Sequence, residues 1–200
     1  MRRSFLQFFI LITFGAGLGL VHSHAKPENW ITKDLKLWKV PAGNKKYNWY
    51  QVQNNILYLR SDPQRKHSVL KTRQSFRDFN CSFEFRFIDG NVDSGIELRN
   101  NDQIQIGISG SLKRDMTGSP YIPSKGYPKP AVGVDQLLRP NGWNQMTIRC
   151  TGPIYQVTLQ GVLVVEYESP RAIMEGPIGI QLHGNRDMKI DFRNYFIDSL

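Results

Sequence analysis

The chain has 200 residues and a formal net charge of +9, from 26 Lys and Arg against 17 Asp and Glu. Hydrophobic residues make up 40% of it and aromatic residues 12%, which is too apolar and aromatic for a disordered chain. Its 11 prolines and 17 glycines interrupt helices and argue against a coiled coil, a helical bundle or several membrane spans. Two cysteines are too few for a small disulfide scaffold.

The first 25 residues are typical of a secretory signal peptide. Arg2 and Arg3 form a positive start, residues 5–21 are almost wholly apolar, and Ser23-His24-Ala25 supplies the small residues before a cleavage site. We predict cleavage after Ala25, which leaves one domain over residues 26–200, exported to the periplasm or the extracellular space without an integral membrane segment. An uncleaved anchor helix and a twin-arginine signal remain alternatives.

From residue 38 onward, apolar and polar side chains alternate with a period of two, which is typical of strands with one buried face. Runs of this kind occupy residues 79–87, 103–108, 145–150, 178–183 and 190–197. The alternation changes phase around Arg193-Asn194, which predicts a β-bulge. Turn residues separate the runs, and we count about eleven or twelve strands and expect little or no helix. The sequence therefore predicts an all-β sandwich or jelly roll of two antiparallel sheets.

Both cysteines, Cys81 and Cys150, fall on apolar faces of predicted strands. Two buried thiols and one disulfide are both compatible with an exported protein. Two core cysteines alone do not make a zinc site, which needs four ligands or three and a water.

Residues 111–142 interrupt the strand pattern with five of the 11 prolines. Compact domains seldom keep so long a loop without a function. We expect a binding or catalytic role for it, with a plain surface excursion as the alternative.

The hairpin just before this loop has a polar face. With a three-residue turn at 100–102, Leu98 would lie opposite Ile104, Arg99 opposite Gln103, and Glu97 opposite Gln105. The polar face would then carry Glu97, Arg99, Gln103 and Gln105. Glutamines between isoleucines are unusual on a merely solvated face, and we predict that this polar face is a functional site.

The segment Asp93-Ser94-Gly95-Ile96-Glu97-Leu98-Arg99 resembles the NSG-aliphatic-x-LR strand of the 3-keto-disaccharide hydrolase family, also described as 3-keto-glucoside lyase and hydratase. Similar segments follow in the family's order between about residue 30 and residue 200. They are Trp38-Lys39-Val40, Trp49-Tyr50-Gln51-Val52, Phe76-Arg77-Asp78-Phe79, Thr117-Gly118-Ser119-Pro120-Tyr121, Gly142-Trp143-Asn144, Gln160-Gly161-Val162, Gly176-Pro177-Ile178-Gly179-Ile180-Gln181-Leu182-His183-Gly184 and Phe192-Arg193-Asn194-Tyr195.

The resemblance implies a sandwich like that of the concanavalin A-type lectins and glucanases, and a sugar or glycan substrate oxidised to a ketone at C3. The ketone acidifies the C2 proton, so a base can remove it, the C1 substituent can leave, and water can add to the product. This route needs no carboxylate pair of the ordinary glycosidase type, and the sequence has no Glu-x-Asp-x-x-Glu pattern. A non-catalytic carbohydrate-binding module is the alternative function, and an envelope interaction domain is a third. Dispersed Lys and Arg argue against a nucleic-acid partner.

The roles within this scheme follow from side-chain chemistry. His183 is the candidate base or metal ligand, Glu97 is a second candidate catalytic residue and metal ligand, and Arg99 is a candidate catalytic donor to the oxyanion. A divalent metal is an optional cofactor, and no organic cofactor is expected. The candidate substrate-binding residues are Gln103, Gln105, Thr117, Tyr121, Asn144 and Gln181. Simpler roles remain for His183 as a strand-end residue bonded to a carbonyl and for Asn144 as a turn cap.

One position departs from the family pattern. The family usually has an acidic residue where this chain has Gln103, and an amide can act neither as a base nor as a good metal ligand. Glu97 should project onto the same face, and we hypothesise that it replaces the missing carboxylate. If Glu97 has no role, the chain is expected to be a binding-only relative.

Overall fold

The computed structural model describes residues 28–200, which form thirteen strands and two four-residue helices, α1 (Asn44–Tyr47) and α2 (Val134–Leu137). The predicted signal peptide and its cleavage site lie outside the described residues. The strands form two antiparallel sheets that pack face to face, and this confirms the predicted all-β sandwich with little helix. No helix within the described part of the chain is long and apolar enough to cross a membrane.

The larger sheet has seven strands. In spatial order they are β11 (Val162–Glu168), β10 (Ile154–Leu159), β9 (Asn144–Thr151), β5 (Phe79–Gly90), β13 (Met188–Ser199), β3 (Ile56–Arg60) and β2 (Tyr50–Gln53). The predicted bulge is confirmed, because the register of β13 against β5 shifts between Arg193 and Phe196. Asn194 lies there with a φ of 49°, a left-handed conformation that Asn tolerates better than most residues.

The smaller sheet has six strands and carries the candidate site on its outer face. In spatial order they are β1 (Trp38–Lys39), β4 (Ser68–Thr72), β12 (Gly179–Leu182), β6 (Asp93–Leu98), β7 (Asp102–Gly107) and β8 (Pro120–Tyr121). The inner face is apolar, with Ile96, Ile104 and Ile106 fully buried against the larger sheet. The outer face therefore receives the alternate residues of the same strands.

The core between the sheets is rich in aromatic rings. Phe79, Phe83 and Phe85 of β5 are buried, and the ring of Tyr195 stacks on that of Phe83 at 5.1 Å between centroids. Cys81 and Cys150 are buried free thiols, so the disulfide alternative is wrong. Burial also raises the pKa of the Cys81 thiol to about 12.

The pairing in the β6–β7 hairpin is shifted by two residues from the predicted one. Leu98 pairs with Asp102 and Glu97 with Gln103, so the turn comprises residues 99–101. Arg99 and the next residue adopt positive φ values of 52° and 71°, which end the strand. The predicted pairing of Leu98 with Ile104 and of Arg99 with Gln103 is therefore wrong. Because each partner moves by two residues, Glu97 still shares its face with Gln103.

Candidate functional site

A cavity of about 340 Å³ opens on the outer face of the six-stranded sheet. Its floor comes from β6, β7 and β12, and its wall comes from the long loop after β7 and the turn after β12. The lining residues are Asp93, Gln103, Gln105, Ser109, Gly110, Ser111, Tyr121, Tyr127, Gln181, His183 and Arg186. Its volume lies at the lower end of the range for small-molecule sites, about 300–1,000 Å³. A wider depression of about 550 Å³ around β2 contains none of the predicted site residues.

The floor carries a row of amides tied to one carboxylate. Gln103 Nε2 donates to Gln105 Oε1 at 3.1 Å, and Gln105 Nε2 donates to Asp93 Oδ1 at 2.8 Å. Gly95 leaves room for this row, because a side chain there would collide with the amide of Gln103. On the neighbouring strand, Gln181 Oε1 is buried and has no hydrogen-bond partner among the described residues.

Arg186 brings a positive charge to the cavity. Its Nε lies 3.3 Å from Asp93 Oδ2, and both side chains are largely buried. The guanidinium passes directly over Gly110, where an added Cβ would collide with it. The guanidinium that lines the cavity therefore belongs to Arg186 and not to Arg99.

His183 stands just beyond the end of β12. Its Nδ1 lies 2.7 Å from the carbonyl oxygen of Gly184, so in the neutral ring Nδ1 carries the proton. Nε2 is then the basic nitrogen, and it has no partner among residues 28–200. The ring of His67 stands edge-on at 6.5 Å between centroids. Burial lowers the pKa of His67, an effect partly offset by the nearby charge of Glu97.

Two tyrosines form the aromatic part of the wall. The rings of Tyr121 and Tyr127 lie 5.2 Å apart at 60° to one another. Burial, with a smaller contribution from the charge of Asp93, raises the pKa of Tyr127 to about 12. Both tyrosines can present apolar ring faces and hydroxyl groups to a sugar.

Five of the predicted site residues meet in this cavity. They are Gln103, Gln105, Tyr121, Gln181 and His183. Glu97 lies on the same face of the sheet but outside the lining, and it forms an ion pair with Lys71 at 3.3 Å. The structure therefore does not place its carboxylate where the hypothesis needed it.

Arg99 points to the opposite side of the hairpin. Its side chain is fully buried, and its Nη1 donates to the carbonyl oxygen of Gly152 at 2.6 Å and to that of Ile173 at 3.3 Å. Its Nη2 lies 3.3 Å from Asp78 Oδ1. The prediction that Arg99 faces the site is wrong, because the hairpin turn removes it from the strand and directs it toward the seven-stranded sheet.

Thr117 and Asn144 are both buried and both hold backbone rather than line the cavity. Thr117 Oγ1 accepts a hydrogen bond from Gly107 N at 2.8 Å, which fixes the long loop to the end of β7. Asn144 Oδ1 accepts from Arg139 N at 2.7 Å, and its Nδ2 donates to Gly142 O at 3.1 Å. The turn-cap interpretation of Asn144 fits these contacts.

A metal ion does not fit the donors that the chain brings together. Among the described residues, no group of three or more His, Cys, Asp or Glu side chains is placed to hold one. His183 and Glu97, the two suggested ligands, do not line the same cavity, and Lys71 already neutralises Glu97. The carboxylate of Asp93 is likewise occupied by Arg186 and Gln105.

Asp93 and Arg186 line the cavity, although neither was predicted as a site residue. Asp93 stands first in the segment that resembles the NSG motif, where the motif has Asn, and this departure was a usable signal. Arg186 follows the Gly184-Asn185 turn, and nothing in its local sequence marks it as part of a site.

The chain is thus an antiparallel β-sandwich with a polar, tyrosine-walled cavity on one outer face. The family model described as the 3-keto-alpha-glucoside-1,2-lyase-like domain matches residues 30–198. The chain belongs to this family.

Solved structures with the same fold include a candidate glycosyl hydrolase and carbohydrate-binding domains. A crystal structure from Parabacteroides distasonis, named as a candidate glycosyl hydrolase, shares 20% identity at a TM-score of 0.64, over 88% of this chain and 100% of the other. The carbohydrate-binding module CBM66 from Bacillus subtilis shares 16% identity at a TM-score of 0.53, over 75% and 91%. The carbohydrate recognition domain of Emp47p shares 12% at 0.52, over 82% and 90%. These likenesses establish the fold, and a comparison with curated proteins finds no match.

Proposed function

We propose that the protein is an exported enzyme that cleaves or hydrates 3-keto glycosides. The observation that carries this proposal is the position of His183 in the cavity. Its Nδ1 is bonded to the carbonyl of Gly184, so in the neutral ring Nε2 is the nitrogen that can accept a proton, in a cavity lined by amides and a guanidinium. Family membership supports the same reaction class.

The reaction balances without an external oxidant, because the substrate already carries the C3 ketone. His183 Nε2 takes the C2 proton, and the C–H bonding electrons form the C2–C3 double bond of an enolate. The enolate then reforms the ketone and breaks the bond from C1 to its oxygen substituent. The leaving oxygen takes the proton from the imidazolium, and the product is a 3-keto-2-hydroxy glycal. Water can add across its C1–C2 double bond to give the free 3-keto sugar.

Two side chains are suited to stabilise the enolate oxygen. Arg186 supplies a fixed positive charge, and its Nε is held by Asp93 while the remaining guanidinium nitrogens are directed by the space over Gly110. Gln181 lines the same cavity and supplies an amide N–H donor. Preorganised donors of this kind commonly contribute about 10²–10³ in rate. The tyrosine pair would hold the sugar ring by stacking.

The test uses a 3-keto disaccharide and its unoxidised parent, each with and without a chelator, with products followed by mass spectrometry. We expect turnover of the keto sugar alone and no effect of the chelator, because the described donors do not fit a metal. His183→Gln should lower kcat by about 10²–10⁴, the usual contribution of a general base. His67→Gln is the matched control, since His67 lies outside the cavity lining. Equal losses in both variants would contradict the assignment.

A carbohydrate-binding module is the second candidate. The cavity contains a single carboxylate, Asp93, which is already bonded to Gln105 and Arg186, and Gln103 is an amide. Such a lining can bind a sugar without catalysing a reaction on it. Saturable binding of the unoxidised disaccharide, with no turnover of either sugar, would favour this function over the first.

Export is a separate part of the proposal. The protein recovered outside the cytoplasm should begin at Lys26, which intact mass measurement would establish. Recovery of the full 200 residues in the membrane fraction would instead indicate an uncleaved anchor.

A further inference from the structure

We propose that Asp93 is a positioning residue that sets the hydrogen-bond polarity of the cavity, so that Gln103 presents an acceptor to a sugar hydroxyl. The inference rests on the proposed carbohydrate function of the same cavity. It concerns which end of each amide faces the ligand, and this decides whether a ligand group must donate or accept a hydrogen bond.

The first step is the contact between Asp93 and Gln105. A carboxylate can only accept hydrogen bonds, and the other oxygen of Asp93 already faces the guanidinium of Arg186 in an ion pair. The atom of Gln105 that lies 2.8 Å from Asp93 Oδ1 must therefore be Nε2. The orientation of this amide follows from charge.

The second step passes the orientation to Gln103. With Nε2 of Gln105 directed at Asp93, the free end of that amide is Oε1, which accepts. Gln103 meets it at 3.1 Å and must supply its Nε2 as the donor. Each of the three side chains is at most 6% exposed, so little water can compensate for a reversed amide.

The third step concerns Gln103, the last side chain of the hydrogen-bonded row. Gln103 lines the cavity, and its Oε1 has no partner among the described residues. The group that this row presents to a ligand is thus a carbonyl oxygen, which accepts a hydrogen bond from a hydroxyl. A sugar offers such donors, whereas a ligand group that only accepts would be rejected at this position.

The same geometry gives a meaning to two departures in sequence. Asp93 stands where the resembling motif has Asn, and Gln103 stands where the resembling strand has an acidic residue. The structure shows these two positions as opposite ends of one hydrogen-bonded row through Gln105. The negative charge is thus not lost from the site but lies at position 93 instead of position 103. In both arrangements the residue at position 103 presents an acceptor oxygen to the cavity.

The test moves the carboxylate from position 93 to position 103, the other end of the hydrogen-bonded row. In Asp93→Asn, the new amide can accept from Arg186 and donate to Gln105, which reverses the row so that Gln103 turns its Nε2 to the cavity. We expect KM for a 3-keto disaccharide to rise about tenfold, the effect of roughly 1.4 kcal/mol, while kcat changes less. In the double variant Asp93→Asn with Gln103→Glu, the reversed row ends in a carboxylate, and KM should return to within about threefold of wild type. Gln103→Glu alone should be impaired, because two carboxylates then share one amide donor.

Two further variants separate the relay from charge alone. Glu97 is the direct cross-strand neighbour of Gln103 and carries the same charge as Asp93. If simple repulsion explained the rescue, Glu97→Gln would rescue Gln103→Glu as well as Asp93→Asn does. Replacement of Gln105 by Leu should abolish the coupling between positions 93 and 103. An additive cycle, or equal rescue by Glu97→Gln, would overturn the proposal.

A ligand-free measurement keeps the inference separate from the enzymatic function. Neutron diffraction on deuterated crystals distinguishes amide nitrogen from oxygen. We expect Gln103 Nε2 to face Gln105 in the wild type and to face the cavity in Asp93→Asn. The wild-type orientation retained in the variant would refute the relay. The expected reversal without turnover by any variant would refute the enzyme proposal and leave the relay standing.

Discussion

Replacement of Arg99 by Met should destabilise the fold and leave the chemistry intact. The side chain is fully buried and connects the β6–β7 turn to the neighbouring backbone through its contacts with Gly152, Ile173 and Asp78. Methionine keeps much of the apolar stem but leaves the Gly152 carbonyl without its 2.6 Å donor.

The magnitude follows from these contacts. A hydrogen bond from a charged donor contributes about 1.5–3 kcal/mol, and only the bond to Gly152 is short enough for the upper part of that range. The contact with Asp78 counts for less, because that carboxylate is 40% exposed and keeps the amide of Gly152 as a partner. Burial of the unpartnered Arg99 Nε offsets part of the gain. We therefore expect a loss of about 3 kcal/mol in the free energy of unfolding, or roughly 6–12 °C in Tm at 2–4 °C per kcal/mol for a domain of this size.

Urea unfolding and turnover of the 3-keto disaccharide, measured on the same preparations, provide the assay. Arg77→Met is the matched control, since the Arg77 side chain is 75% exposed and makes one ion pair with Glu175 at 3.4 Å. It should change stability by less than about 0.5 kcal/mol. Unchanged unfolding of Arg99→Met together with lost turnover would refute this reasoning and restore Arg99 as a catalytic residue.

Three other outcomes follow from the structure. Gly110→Ala should displace the guanidinium of Arg186 and lower kcat/KM at least tenfold with little change in Tm, whereas the variant should match wild type if Arg186 has no role. Cys81 and Cys150 should not react with a thiol reagent in the folded protein, because burial raises the pKa of both thiols, and both should react after denaturation. Two unreactive sulfurs in the denatured, unreduced chain would instead indicate a disulfide. Burial holds the pKa of His67 below 6.5 in the folded protein, so the unfolded chain takes up the proton at a higher pH. The free energy of unfolding should therefore decrease as the pH falls below about 6.5. His67→Gln should flatten this drop in urea titrations between about pH 5 and 8, and an unchanged slope would exclude His67 as its source.

The strand pattern and the polar face were predictable because both depend on a local period of two. Gln103 and Gln105 alternate with isoleucines, and that alternation alone places them on the outer face. Even the wrong hairpin register preserved this result, since a shift of two residues does not change the face. The phase change at Arg193-Asn194 was sufficient to locate the bulge.

The remainder of the site depends on contacts between residues distant in sequence. The position of Arg99 changed because two successive positive φ values end the strand one residue early, and no period indicates that. Arg186 enters the cavity only because a distant turn lies beside Gly110, across 76 positions of sequence. The resemblance of the segment at Thr117 and of the segment at Asn144 was sound, but their shared role is to fix loops.

The cavity joins two kinds of backbone with different tolerance to change. Its floor consists of paired strands, where any insertion would break ladders on both sides, whereas its wall is a proline-rich loop fastened at a few points such as Thr117 Oγ1. Substitutions that preserve those fastenings can reshape the wall around Tyr121 and Tyr127 without moving His183 or the amide row. The floor and the wall of the cavity can therefore change independently, and exchange of the loop between relatives is a direct way to alter what the cavity binds.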